Sequence, residues 1–358
     1  MRILITGGAG FVGSNLAVLF RATRGHSVIA FDNLRRNGSE LAVRRLAEAG
    51  VVFIHGDVRN AADFEDLPAV DLVIDCSAEP SVQAGYSAGI RYLIDTNLGG
   101  TAKCLEYARR NDAAFIFLST SRVYSIPALR ALPLEVIADS FALAAGHRGS
   151  GWSEAGIGVD FPTDAPRSLY GTTKFASELL VEEYNAAFSL KTVINRCGVV
   201  AGPWQMGKVD QGFFVLWVAR HLYGGSLRYT GFGGYGHQVR DVLHVGDLFE
   251  LLCRQMEAID RHSGCRYNVG GGLQNSVSLS ALTALCAKRI GVTLQIGHEA
   301  ATHPADIPYY VTDNAPVTAA TGWSPSRGIE VILDEVAGWL AQHRSLLEPI
   351  LGSRAPVG

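Results

Sequence analysis

Three side chains, Thr120, Tyr170 and Lys174, have the types and order that a proton relay needs. Tyr170 and Lys174 stand four apart in Ser168-Leu-Tyr-Gly-Thr-Thr-Lys174, at the head of a stretch with helical spacing, so they share one face. An ammonium beside a phenol favours the phenolate and lowers its pKa. Tyr170 would then serve as a base near neutral pH, where an isolated phenol is too weak. Thr120 lies in Ser119-Thr-Ser-Arg-Val-Tyr124, at the end of the apolar run Ala114-Phe-Ile-Phe-Leu118, and its hydroxyl could extend the relay to a substrate alcohol. The plainer alternative is a surface tyrosine with a lysine one turn on. A phosphate-binding pattern at the N-terminus gives the trio its context.

That pattern begins with Ile3-Leu-Ile5, which reads as a buried strand, followed by Gly7, Gly10 and Gly13 and a helix starting near Ser14. The glycines let the backbone turn sharply and approach a pyrophosphate. The helix N-terminus, with Phe11 and Val12 inside the turn, offers it free N–H groups. Asp32 closes a second apolar run, Ser27-Val-Ile-Ala-Phe31, where a carboxylate suits adenosine ribose hydroxyls. Asn33 stands beside it. Val51-Val-Phe-Ile54 is a third strand, after which Asp57 and Val58 could hold an adenine by its amino group and one face. The alternative for Asp57 is a turn acid capping the next helix. The fourth run, Asp71-Leu-Val-Ile-Asp-Cys76, leads into small residues, Ser77 and Ala78, that let a cofactor pass. Strands alternating with helices imply right-handed crossovers and an α/β, doubly wound parallel sheet, with ligands beyond the carboxyl ends of its strands.

Composition narrows the function further. The chain has 358 residues, 18% of them charged, and a net charge of −3, which fits one large or two modest globular domains and argues against nucleic acid as a partner. No uncharged stretch is long enough for a bilayer. The six cysteines are scattered and read as reduced, and the ten histidines show no metal-ligand spacing. With a strand at the very start, a cytoplasmic location is expected.

The Gly-x-x-Gly-x-x-Gly spacing, Asp32, Thr120, Tyr170 and Lys174 together resemble the extended short-chain dehydrogenase/reductase superfamily, in its members that act on nucleotide-sugars. Phe31-Asp-Asn-Leu34, His55-Gly-Asp-Val-Arg-Asn60, Asp210-Gln-Gly212 and Gln238-Val-Arg-Asp-Val-Leu-His244 resemble the CDP-hexose 2-epimerase group within it. The resemblance, which runs to about residue 340, implies a Rossmann-type sheet with a smaller α/β substrate-binding domain. Residues 1–198 and 236–271 would form the NAD-binding domain, and 199–235 and 272–348 the nucleotide-sugar domain. The family's roles would put Gly7, Gly10, Phe11, Val12 and Gly13 on the NAD pyrophosphate, Asp32 and Asn33 on the ribose, and Asp57 and Val58 on adenine. Ser77, Ala78, Asn97 and Ser119 complete the expected cofactor set, with Asn97 matching a structural asparagine. Lys174 would bind the nicotinamide ribose as well as tune Tyr170. Asp32 favours NAD over NADP, although Arg35 and Arg36 lie close by.

Thr120, Val199, Gln211, Arg240 and Asp306 are the expected substrate contacts. Arg240 matches an arginine set on the nucleotide diphosphate; the alternative is a surface pair with Asp241. Val199 stands where many relatives have asparagine, and His303 and Pro308 where relatives often have arginines. Dehydratases of the superfamily carry Asp-Glu after the strand-five threonine, and decarboxylases usually keep the Glu; here Ser121 and Arg122 stand there. The resemblance therefore implies epimerisation of a nucleotide-sugar, at C2 of a CDP-hexose. A 4-epimerase, a decarboxylase, a ketoreductase and a non-catalytic NAD-binding regulator are the alternatives. The glycine- and aromatic-rich stretch Gly198–Gly236 reads as a substrate lid, and 125–168 as a long insertion. A homodimer is expected through helices near 97–110 and 172–187, with Leu98, Leu105, Leu179 and Tyr184 in the seam.

Overall fold

The apolar runs of the first half become neighbouring strands of one sheet. A computed structural model of the chain describes residues 1–86, 89–207 and 211–352. Strands β1 (Arg2–Thr6), β2 (Ser27–Asp32), β3 (Val52–His55), β4 (Leu72–Asp75), β5 (Ala114–Thr120) and β6 (Thr192–Cys197) follow one another. Helices α1 (Phe11–Arg24), α2 (Glu40–Glu48), α3 (Gly100–Arg110) and α4 (Leu169–Phe188) lie in their crossovers. The chain then leaves through β7 (Val199–Ala201), α5 (Phe213–Tyr223) and β8 (Val239–His244), and returns through α6 (Val245–Glu257) and β9 (Cys265–Val269). It continues as β10 (Ser276–Ser278), α7 (Leu279–Ile290), β11 (Tyr309–Tyr310), α8 (Ile329–Gln342) and α9 (Arg344–Leu351).

The central sheet has the order β9-β6-β5-β4-β1-β2-β3 with every pair parallel. Its order reverses between β1 and β4, which opens a crevice beyond their carboxyl ends. Alternation along β1 builds both cores. Ile3 and Ile5 pack with Leu16 and Phe20 of α1 and Leu248 and Leu252 of α6. Leu4 packs on the opposite face with Leu105 and Ala108 of α3 and Val181 of α4. A second sheet gathers around β8, with β7 and β11 parallel to it and β10 antiparallel. Its core joins α5, α7 and α8 through Phe214, Leu282 and Val336.

Several expectations need correction. Leu105 is fully buried against the central sheet, because the apolar stripe of α3 is used up there, and it cannot lie in a dimer seam. Leu179 and Phe188 of α4 are exposed. The helix expected from residue 97 begins with a π-helical turn, Asp95–Gly99. The last helix is two, α8 and α9, with His343 between them. The 125–168 insertion forms a hairpin, Leu134–Ile137 with Ser140–Leu143, and a shorter one at Trp152–Ile157. Its Leu129, Ile157 and Phe161 pack with Tyr124, Val239 and Tyr310, so it buttresses the end of β5 against the second sheet. Asp210 and the tail 353–358 lie outside the described residues.

Candidate active site

The glycine turn is set by contacts that exclude side chains. Gly7 has φ +64°, and a Cβ there would stand 2.8 Å from the Cys76 carbonyl oxygen. A Cβ on Gly13 would stand 2.2 Å from the Gly7 carbonyl oxygen, which is how α1 comes so close to the turn. Gly10 is the N-cap of α1 and supplies no side-chain cap, so the first N–H groups of the helix, on Phe11 and Val12 among others, are available to an anion. Asp32, at the end of β2, accepts hydrogen bonds from the Ala9 N–H (3.1 Å) and the Leu34 N–H (2.8 Å). Burial raises its pKa against those bonds.

These residues line a cleft of about 390 Å³ together with Asn33, Val58, Ser77, Ala78, Trp204, Gln205 and Gln211. Three of its lining side chains hold buried polar atoms that lack a partner: Ser39 Oγ, Thr96 Oγ1 and Gln205 Oε1. A polar ligand in the cleft would satisfy them. A cradle with no room for side chains, a helix N-terminus and a carboxylate at the second strand end fit a dinucleotide.

Other expected cofactor residues sit behind the cleft and shape it. Asp57 is held by Arg59, with Nη2 at 2.6 Å from Oδ2, and by Asn33 Nδ2 at 2.9 Å. The Arg59 hydrogen bonds hold its carboxyl down to about 2. Arg59 and Asn33 position the Asp57 carboxylate, and Val58 lines the cleft beside it. Asn97 is fully buried, its amide bracketing Glu79 and donating to Thr173 Oγ1 (3.1 Å), which makes it an anchor between the cleft and α4. Ser119 Oγ donates to Glu178 Oε1 (2.5 Å). Gln211 stands at the cofactor cleft. Its Oε1 accepts from Arg36 Nη2 (2.5 Å) at the mouth of the cofactor cleft.

Thr120 and Tyr170 meet at the end of β5. Ser168 caps α4 by accepting from the Gly171 N–H (3.0 Å), which fixes Tyr170 and Lys174 on the face turned to the sheet. Thr120 Oγ1 accepts from the Arg122 N–H (3.2 Å), and the Thr120 hydroxyl works to lower the Tyr170 pKa. Burial nevertheless pushes Tyr170 up to about 12 in the unliganded chain, with Thr120 and Arg122 pulling the other way. The Lys174 Nζ rests 3.9 Å from the centre of the Phe117 ring, and burial lowers the lysine's own pKa despite the nearby Asp75 and Glu178.

Arg240 reaches across from β8. Its Nη2 donates to Asp306 Oδ1 (3.2 Å) and to the Ile307 carbonyl (2.7 Å), and burial pulls its pKa down to about 10. Asp241 is buried and accepts from the Gly272 and Thr312 N–H groups, so the surface-pair alternative is excluded. Val199 pairs with Val242 at the start of β7 and packs on the second core. A residue the sequence reading passed over is Glu178, one turn beyond Lys174. It is wholly buried and bound by Arg196, whose Nη1 in turn donates to the Tyr124 hydroxyl. The arginine inside the wholly buried strand Thr192–Cys197 was the signal for a buried carboxylate partner.

A dinucleotide cleft and a Thr–Tyr–Lys set at adjoining strand ends define an NAD-dependent enzyme of the extended reductase type. Residues 3–270 match the NAD dependent epimerase/dehydratase family, and the chain belongs to that family. NAD is its cofactor. The chain is 29% identical over 347 residues to CDP-paratose 2-epimerase of Salmonella typhi, covering 95% of this chain and 99% of the relative. It is 27% identical over 364 residues to dTDP-glucose 4,6-dehydratase of Streptomyces niveus, covering 98% and 96%. Its fold is similar to the structure of UDP-glucose 4-epimerase from Bifidobacterium longum in complex with NAD⁺ and UDP, with a TM-score of 0.79, 21% identity and coverage of 96% and 99%.

Proposed function

We propose that the chain epimerises a nucleotide-sugar, at C2 of a CDP-hexose, by oxidising the carbon and reducing it again from the other face. The observation that carries this reading is the end of β5, where the Thr120 hydroxyl acts on the Tyr170 phenol and Ser121 and Arg122 follow. Elimination of water needs a carboxyl acid or base at those two places, and neither residue supplies one. Reversible oxidation needs only a base for the hydroxyl proton. Bound NAD supplies a reversible hydride acceptor. Tyr170 takes the hydroxyl proton and returns it, Thr120 orients the phenol and the sugar hydroxyl, and Lys174 holds the nicotinamide ribose. The full-length similarity to a CDP-paratose 2-epimerase supports C2 and cytidine.

The division into an NAD-binding domain and a sugar-binding domain, with Arg240 on the diphosphate, belongs to this reading. So does a cytoplasmic homodimer that buries the exposed Leu179 and Phe188 of α4. Light scattering at micromolar concentration should give twice the chain mass; a monomer mass would remove the dimer. The function itself is tested by offering CDP-, UDP-, GDP- and dTDP-sugars without added cofactor, with Tyr170→Phe as the control. Epimer formation by the wild type and its loss by roughly a hundredfold or more in the variant is the expected result. A dehydrated, decarboxylated or singly reduced product would replace the epimerase reading by one of its alternatives.

A further inference from the structure

We propose that Arg122 and Arg240 form a two-arginine clamp on the substrate diphosphate, with Arg122 on the phosphate that carries the sugar. The inference rests on the nucleotide-sugar reading above and adds a residue and an orientation to it.

Both guanidinium groups rest on one short segment. Arg122 Nη1 donates to the Ala305 carbonyl (3.1 Å), and Arg240 Nη2 to the Ile307 carbonyl (2.7 Å). Carbonyls two residues apart are separated by at most about 7 Å. The segment is braced from outside by Arg130, which donates to the carbonyls of His303, Pro304 and Asp306. The two cations are therefore held side by side before any ligand arrives.

Asp306 is the carboxylate that acts on both, and it bonds directly to Arg240; Asp241 adds a weaker pull on Arg240, and its Oδ2 is taken up by the Gly272 and Thr312 N–H groups. The two guanidinium groups repel one another, and burial works against the charge on each. Holding like charges together out of water costs free energy unless an anion joins them. A diphosphate carries two adjacent anionic groups, and planar guanidinium forks match phosphate oxygens well.

The orientation follows from the backbone of Arg122. Its N–H is bonded to Thr120 Oγ1. Its carbonyl lies against the residue after Tyr170, so closely that a Cβ on Gly171 would be 2.1 Å away. Arg122 is thus the clamp arm beside Tyr170, and Arg240 on β8 is the outer arm. A substrate whose sugar reaches Tyr170 puts its sugar-bearing phosphate at Arg122 and its nucleoside phosphate at Arg240.

Calorimetric titration of the whole chain with CDP, UDP, GDP and dTDP, and with the matching monophosphates, tests this without turnover. The wild type should bind its preferred diphosphate more tightly than the monophosphate. Arg122→Gln should weaken the diphosphate by about ten- to a hundredfold, the scale of a charged hydrogen bond, and leave the monophosphate unchanged, so that the preference collapses. Arg240→Gln should weaken both. Arg122→Lys, which keeps the charge and loses the fork, should recover part of the preference. Equal weakening of both nucleotides in Arg122→Gln, or of neither, overturns the clamp alone. Failure of every nucleotide to bind the wild type overturns the nucleotide-sugar reading and the clamp with it.

Discussion

Replacing Glu178 by glutamine should destabilise the protein by about 3–5 kcal/mol, the cost of leaving one partner of a buried ion pair alone. The estimate follows from the surroundings of the pair. Both side chains are almost entirely out of water, with 2% of Arg196 and none of Glu178 exposed. Arg196 makes three contacts to the carboxylate, Nε to both oxygens at 3.0 Å and Nη2 to Oε2 at 2.7 Å. A glutamine keeps one oxygen and the shape but removes the charge. Arg196 would keep the Tyr124 hydroxyl (3.2 Å) and the Val159 carbonyl (3.1 Å), neither of which carries a compensating charge. Arg266, 3.8 Å from the same carboxylate, would keep its bond to Glu182 (2.8 Å) but lose its second carboxylate. Against a total stability of about 5–15 kcal/mol, this is a large fraction. Urea unfolding followed by tryptophan fluorescence reads it as a lower midpoint. The double variant Glu178→Gln/Arg196→Met removes both charges and should lose less than the sum of the single changes, by about 1–3 kcal/mol. A loss below about 1 kcal/mol in Glu178→Gln, or additive losses in the double variant, would show that the pair is not the buried strut described.

Two further outcomes follow from the cofactor cleft. Asp32 should make the chain bind NAD more tightly than NADP, because its carboxylate repels a 2′-phosphate, while Arg35 lies over the Tyr92 ring and Arg36 is bonded to Met206 and Gln211; equal or tighter NADP binding would show that the arginines prevail. Asp57 titrates in the folded chain at about 2, below its ordinary 3.8, so its contribution to stability is present above the ordinary value and lost as pH falls through about 2. Asp57→Asn should therefore be less stable than the wild type near about pH 5, with the gap closing towards about pH 2; a gap that stays constant would mean that the Arg59 bond does not set the shift.

The central sheet, the glycine turn and the placing of Tyr170 and Lys174 on one helix face were legible because each is encoded locally. Ile3–Ile5 alternate between two cores, Gly13 sits where only hydrogen fits, and four-residue spacing fixes a helix face. What was not legible depended on partners far away in the chain or on the balance of burial against charge. Gln211 reads as a sugar contact in the sequence, which shows no sign of its bond to Arg36, 175 positions earlier, at the cofactor cleft. Arg122 registered only as a missing carboxylate; the contact that places its guanidinium is with Ala305, 183 positions on. The Tyr170–Lys174 spacing suggested a lowered phenol pKa, but spacing is blind to desolvation, which dominates both groups here. The stripe of α3 was visible, yet the sequence could not say that the sheet, rather than a second subunit, takes Leu105.

The account stands most directly on the fate of one hydrogen. If Tyr170 and Thr120 handle only the hydroxyl proton while the carbon-bound hydrogen leaves and returns as hydride, that hydrogen never meets solvent. Epimerisation run in D₂O and followed by proton NMR of the product should show the inverted carbon still carrying its original protium. Deuterium from solvent at that carbon would mean that the carbon itself is deprotonated, and the oxidation–reduction mechanism built on Thr120, Tyr170 and Lys174 would be wrong.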